Sequence, residues 1–175
     1  GITVDSDSML VLLGQQPKED VSMAGSLWAW EIGGCKDGTL PEFDLVQTVR
    51  TAAFVTEIVQ KNRVEAVHDV GEGGLAVALA EMAIQSGIGM LINGFDDHRA
   101  LFNESGGRVI VALSDTNLES FLKESTNRGV PVQMIGRTGG SSLVLGSTID
   151  LSIAELTSAS RDELPQALGQ GTVSG

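Results

Sequence analysis

Cysteine occurs once in this chain, at Cys35, so neither an internal disulfide nor a cysteine zinc cluster can be built from it. Basic residues are few: 11 Lys and Arg stand against 23 Asp and Glu, a net charge of −12. A nucleic-acid surface needs clustered Lys and Arg to meet phosphates, and the balance argues against one. The acidity itself reads as solubility and says nothing of the fold. No apolar run approaches the roughly 18 residues of a membrane span, and no signal peptide opens the chain. These absences predict no nucleic-acid partner, no membrane and a cytoplasmic location. No internal repeat of the 20–50-residue kind is present either.

What is there suits a globular domain. Hydrophobic residues make up 42 % of 175 positions and are mixed through the chain, enough to bury a real core. The 22 glycines are scattered at turns without a period. Met9 to Gly14 reads as a buried strand ending in glycine. Trp28, Trp30 and Ile32 fall at period two and predict a strand inside the irregular stretch 15–40. Asp44 is placed to cap a helix running to about Asn62. Strands are expected at 64–69, 88–92, 108–114, 131–137 and 142–146. Helices are expected at 75–86, at 115 onward with Asp115 as its cap, and at 153–159. The pattern predicts an α+β fold, an α/β sandwich in which a mixed sheet carries helices on one face. It spans residues 1–160, with a polar tail over 161–175.

The stretch HDVGEGGLAVALAEMA, 68–83, carries the strongest chemical signal. A strand ends in His68 and Asp69, a loop of Val70, Gly71, Glu72, Gly73 and Gly74 follows, and a small-residue helix begins. Amides at a helix start and its dipole attract an anion, and glycines let the main chain approach it. Gly71, Glu72, Gly73, Gly74 and His68 are therefore candidate phosphate or nucleotide contacts. Asp69 is the candidate Mg²⁺ ligand, since a hard cation prefers carboxylate oxygen. The same residues would also serve a tight structural turn, with Asp69 bonded to loop amides and His68 packed. Glu81, in the middle of the helix, reads as paired with a basic group or turned outward. A second constellation, LFNESGGR at 101–108, offers Asn103, Glu104, Ser105 and Arg108 to a hydroxylated or phosphorylated ligand. Its plainer reading is a capped turn.

Taken together, HDVGEGGLAVALAEMA (68–83), LFNESGGRVIVAL (101–113) and VPVQMIGRTGG (130–140) resemble the C-terminal domain type of the aminoimidazole ribonucleotide (AIR) synthetase superfamily. Within it they are most similar to the phosphoribosylformylglycinamidine synthase family. The likeness covers roughly residues 1–160 and suggests the second of two such domains in a longer chain. It implies an AIR synthetase C-terminal-domain-like fold in an ATP-dependent carbon–nitrogen ligase of purine biosynthesis. That enzyme converts formylglycinamide ribonucleotide to its amidine with ammonia from glutamine. The implied cofactors are Mg²⁺ and ATP or ADP. The implied partners are the remaining domains of the synthetase chain, a glutaminase subunit or domain and, in short-form enzymes, a small bridging subunit. By resemblance Asp69 holds Mg²⁺ at a second nucleotide site and Gly71 contacts the nucleotide. Glu104 and Ser105 match a pair that touches substrate in the first copy. Gly71 stands where relatives often carry Ser or Thr, leaving an amide in place of a hydroxyl. Residues 24–27, Ala-Gly-Ser-Leu, lack the acidic residue of a Gly-Gly-Ser-Glu-like segment. Cys35 lacks a Cys-His arrangement and is not a glutaminase nucleophile. The isolated chain is thus expected to have no synthetase activity. The alternatives are a non-catalytic scaffold domain and the equivalent domain of a sister enzyme. Of Trp28 and Trp30, one is expected in the core and one at an interface.

Overall fold

The computed structural model describes residues 1–15, 21–35 and 37–167. Strands β1 (Met9–Leu13), β2 (Ala66–Asp69), β3 (Met90–Ile92), β4 (Val109–Leu113), β5 (Val132–Thr138), β6 (Ser142–Leu145) and β7 (Ile149–Ser152) form one sheet in the order β2-β4-β1-β5-β3-β6-β7. Only β3 and β6 pair in parallel among these neighbours, so the sheet is mixed, as expected. Helices are α1 (Leu27–Glu31), α2 (Leu45–Gln60), α3 (Gly74–Ser86), α4 (His98–Phe102), α5 (Asp115–Asn127) and α6 (Ile153–Ala167).

β1 is apolar at every position because both of its faces are covered. Leu10 and Leu12 point into a core with Leu75, Leu79 and Met82 of α3 and Leu101 of α4, against which Leu156 of α6 also packs. Val11 and Leu13 point the other way, onto Phe54 and Ile58 of α2 and Phe121 of α5. The expected helical layer on one face is therefore two layers, one on each face. The sequence holds the reason: continuous apolar strands such as MLVLL and VIVAL need cover on both sides. Burying each of Leu75, Leu79 and Met82 contributes about 1.5–3 kcal/mol.

Local signals placed most elements. Asp44 caps α2 by accepting from the Gln47 amide, and Gly87 ends α3 in the left-handed conformation. Elsewhere the structure differs. Residues 27–31 are helical, not extended: the Ser26 hydroxyl accepts from the Ala29 amide and starts a turn. The alternation of Trp28, Trp30 and Ile32 marks one packed ring followed by two exposed side chains, not a pleat. The cap of α5 is Ser114, with Asp115 in its first turn. The final helix runs to Ala167, beyond residue 159, and residues 168–175 of the expected tail lie outside the described residues. α4 and β7, each five residues or fewer, were too short to show a period.

Candidate functional site

Pairing of β2 with β4 sets Asp69 opposite Val109 and so brings the end of the first motif beside the second. The chain then leaves β2: the Val70 amide donates to the Arg108 carbonyl at 3.0 Å, and the Gly74 amide to the Gly71 carbonyl at 3.1 Å. The two constellations thus lie side by side.

His68 lies under α3. Its Nε2 is 2.7 Å from Glu81 Oε2, the imidazole donating to the carboxylate, and its Nδ1 is 3.5 Å from Asp69 Oδ1. Glu81 is paired with a basic side chain, as its position in the helix suggested, and His68 ties β2 to α3. Asp69 itself is 88 % exposed at the strand tip.

The glycines divide by what surrounds them. Gly74 has φ +71°, and a β-carbon there would lie 2.7–2.8 Å from backbone atoms of Leu101, Phe102 and Asn103. Gly73, at φ +75°, would meet Val77. These two glycines are required by packing and backbone whatever binds nearby. Gly71 is different. Its φ is unexceptional, and a β-carbon would meet only Asp69 Oδ2, at 3.8 Å. The Gly71 and Glu72 amides have no acceptor among the described residues. Both residues are exposed, at a corner that also carries the exposed carboxylates of Asp69 and Glu72.

The 101–108 loop is built inward. Asn103 and Arg108 are each 1 % exposed. Asn103 Oδ1 accepts from the Ser105 amide at 2.8 Å, and its Nδ2 donates to the Ser22 carbonyl at 3.0 Å. Arg108 donates through Nη2 to the Asn103 carbonyl and through Nε to the Ser105 carbonyl, while Nη1 is buried with no partner among the described residues. Burial pushes its guanidinium down to about 10. The sequence offered Arg108 as a surface anion ligand; the structure uses it to hold the loop from inside.

Glu104 is the member of that loop that turns outward. Its Oε1 accepts from the Gly73 amide at 2.9 Å and from the Leu27 amide at 2.7 Å. One of the amides expected to meet phosphate is thus already held by a carboxylate of the same chain. That contact leaves no local trace in the sequence, because the spacing over 28–32 predicts a strand where α1 forms. Trp28 stacks on Phe102, ring centroids 4.7 Å apart, and is half-buried outside either core, whereas Trp30 is exposed; the expected core tryptophan is therefore a surface-packed one. Cys35 is an exposed loop thiol.

No group of three or more His, Cys, Asp or Glu able to hold a metal occurs among the described residues. A recess of about 530 Å³ opens at the start of α2, lined by Gln15, Glu42, Phe43, Asp44, Leu45 and Val46. No described helix is long and apolar enough to cross a membrane.

Residues 7–146 match the family described as AIR synthase related protein, C-terminal domain. The chain is 37 % identical over 147 residues to phosphoribosylformylglycinamidine synthase subunit PurL of Zymomonas mobilis, covering 82 % of this chain and 20 % of that protein. It spans about a fifth of the length of such relatives. Among solved structures, PurL of Thermotoga maritima complexed with FGAR is similar at TM-score 0.69 and 17 % identity, over 88 % of this chain and 28 % of that one. The same protein complexed with ATP gives TM-score 0.63 at 15 % identity, over 88 % and 26 %. At these identities the structures establish a shared fold.

Proposed function

Because the chain belongs to the family of AIR synthase related C-terminal domains, we propose that it works as one domain of a phosphoribosylformylglycinamidine synthase. The whole enzyme would convert formylglycinamide ribonucleotide to its amidine with ATP and glutamine-derived ammonia. This domain would supply scaffold and an auxiliary nucleotide half-site at the glycine turn. The ATP-bound PurL relative makes nucleotide the natural ligand class.

The observation that carries the half-site is the open corner at Asp69, Gly71 and Glu72. Two amides with no acceptor among the described residues could receive a phosphate oxygen, and nothing crowds Gly71. Two exposed carboxylates at the same corner would repel that phosphate unless a cation lay between them. Mg²⁺ binds through one or two carboxylates plus phosphate oxygens and water, so the donor set fits it, with Asp69 as the protein ligand. When bound, Mg-ATP supplies the phosphoryl group that activates an amide oxygen. The chain's part is positional: His68 and Glu81 fix the end of β2, and Gly74 sets where α3 begins.

A scaffold role without nucleotide is the second reading. The filling of the Gly73 amide by Glu104 favours it. The remaining polypeptide of the synthase is the expected partner. Leu40, Phe43, Leu45, Val46 and Val49, all exposed around the start of α2, are the apolar side chains available to it.

Titration of Mg-ADP into isotope-labelled protein separates the readings. Local shifts of the Gly71 and Glu72 amides, lost in Asp69→Ala, are expected for the half-site. Silence of both amides at millimolar nucleotide would leave the scaffold.

A further inference from the structure

Just after β3, between two anchored points of the chain, lies a step that nothing holds. Ile92 is fully buried; its carbonyl accepts from the Gly146 amide, and the Asn93 amide donates to the Ile135 carbonyl, both at 2.9 Å. Phe95 is buried again, and Asp96 Oδ1 accepts from the Ser147 amide at 3.0 Å and from the Ser147 hydroxyl at 3.2 Å. Between these anchors the side chain of Asn93 and the whole of Gly94 are exposed. The Asn93 side chain has no hydrogen-bond partner, and the Gly94 amide no acceptor, among the described residues. A β-carbon at Gly94 would meet nothing within 4 Å. The other four of the chain's five asparagines are held. Asn103 uses both ends of its amide group. The backbone amides that follow Asn62 and Asn127 donate to the carbonyls of Ile58 and Glu124, and Asn117 stands inside α5.

We propose that Asn93–Gly94 is a self-modification site, at which the Gly94 nitrogen closes on Asn93 Cγ and the asparagine becomes aspartate or isoaspartate. The new N–Cγ bond makes a five-membered succinimide. The Cγ–Nδ2 bond breaks, and the side-chain nitrogen leaves as ammonia with the proton that Gly94 gives up. Water then adds across one of the two imide C–N bonds, its hydroxyl to carbon and its hydrogen to nitrogen. Opening at Cγ gives aspartate; opening at the α-carbonyl gives isoaspartate, whose main chain runs through Cβ and is one methylene longer. Glycine has no side chain to crowd the attacking nitrogen. Either product sets a new negative charge close in sequence to the exposed Asp96 and Asp97. The isoaspartyl product must also fit its extra methylene between Ile92 and Phe95, both packed in the core. The misfit falls on the hold of Asp96 on Ser147, and so on the turn between β6 and β7.

The test ages the whole chain in mildly alkaline buffer, folded and in urea, and follows every asparagine by peptide mass spectrometry. Asn93 is expected to gain one mass unit ahead of Asn62, Asn103, Asn117 and Asn127, through an intermediate that has lost ammonia. Because the fold withholds neither reacting group, the folded rate is expected within about tenfold of the rate in urea, a barrier difference of about 1.4 kcal/mol. Asn93→Gln should abolish the early gain. In amide spectra of the aged protein a second Ser147 resonance is expected, displaced further than the one in Asn93→Asp, which adds the charge without the methylene. A folded rate more than about tenfold below that in urea would overturn the site, as would earlier conversion of any other asparagine. A Ser147 amide that is the same in aged protein and in Asn93→Asp would overturn the link to the turn.

Discussion

Replacing Gly74 by Ala tests why the glycine turn has its form. A β-carbon-bearing residue in the left-handed region costs about 1–2 kcal/mol, partly offset by about 0.4–1 kcal/mol from a stiffer unfolded chain. Gly87, which ends α3 at φ +66° with nothing within 4 Å of a β-carbon, isolates that backbone cost. Gly87→Ala should therefore destabilise by about 1 kcal/mol. At Gly74 the same conformational cost is joined by three backbone atoms within 2.8 Å, carbonyls of the 101–103 segment that cannot swing aside like a side chain. Overpacking of that kind adds about 1–3 kcal/mol, bringing Gly74→Ala to about 2–4 kcal/mol. With a urea m-value of about 2 kcal/mol/M, the midpoint should fall by about 1–2 M for Gly74→Ala and about 0.5 M for Gly87→Ala. Unchanged m in both variants keeps the comparison two-state. Midpoints for the two variants within about 0.3 M of each other, well inside the expected gap, would refute the close approach as the reason for Gly74.

Other consequences can be checked with single variants. Gly71→Ser should leave stability within about 0.5 kcal/mol, since space and backbone both admit it, and should tighten Mg-ADP if the half-site is real; calorimetry reads both. Phe54→Ala, which removes a buried ring 5.6 Å from that of Phe121, should cost about 3–5 kcal/mol in urea unfolding. Hydrogen bonds from Arg128 and then Lys61 hold the Glu57 carboxyl at about 2, below its ordinary 4.5. A lowered carboxylate pKa means a contribution fully present above 4.5 and lost as pH falls through about 2. Wild-type protein should lose stability more steeply over that acid window than Glu57→Gln, and parallel urea midpoints from pH 5 to 2 would contradict it.

The legible parts of the fold were those with local causes. The apolar strands, the Asp44 cap and the Gly87 stop announce themselves in a few neighbouring residues, and the mixed sheet follows from their alternation. α1 did not, because the spacing of Trp28, Trp30 and Ile32 mimics a strand and only Phe102, 74 positions on, explains why one ring packs. The site divides in the same way. Asp69 and Gly71 stand exposed at the turn, where their motif put them. Arg108 turned inward because the carbonyls of Asn103 and Ser105 need donors, a demand that exists only once the loop has closed. The hold of Glu104 on Gly73 and Leu27 joins three parts of the chain and leaves no local trace.

The place of β1 has a consequence for how the molecule comes into being. Of the seven described strands it is synthesised first, yet its hydrogen-bonding neighbours are β4 and β5, which end at Leu113 and Thr138. At about 5–20 residues per second, a ribosome leaves MLVLL without its second neighbour for roughly 6–25 s. Until β4 arrives, five consecutive apolar residues present two open edges, an invitation to pair with other chains. A nascent chain stopped before Val109 has neither neighbour and cannot close the sheet. The sheet around β1 is thus completed only when β5 arrives beside a strand made more than a hundred residues earlier.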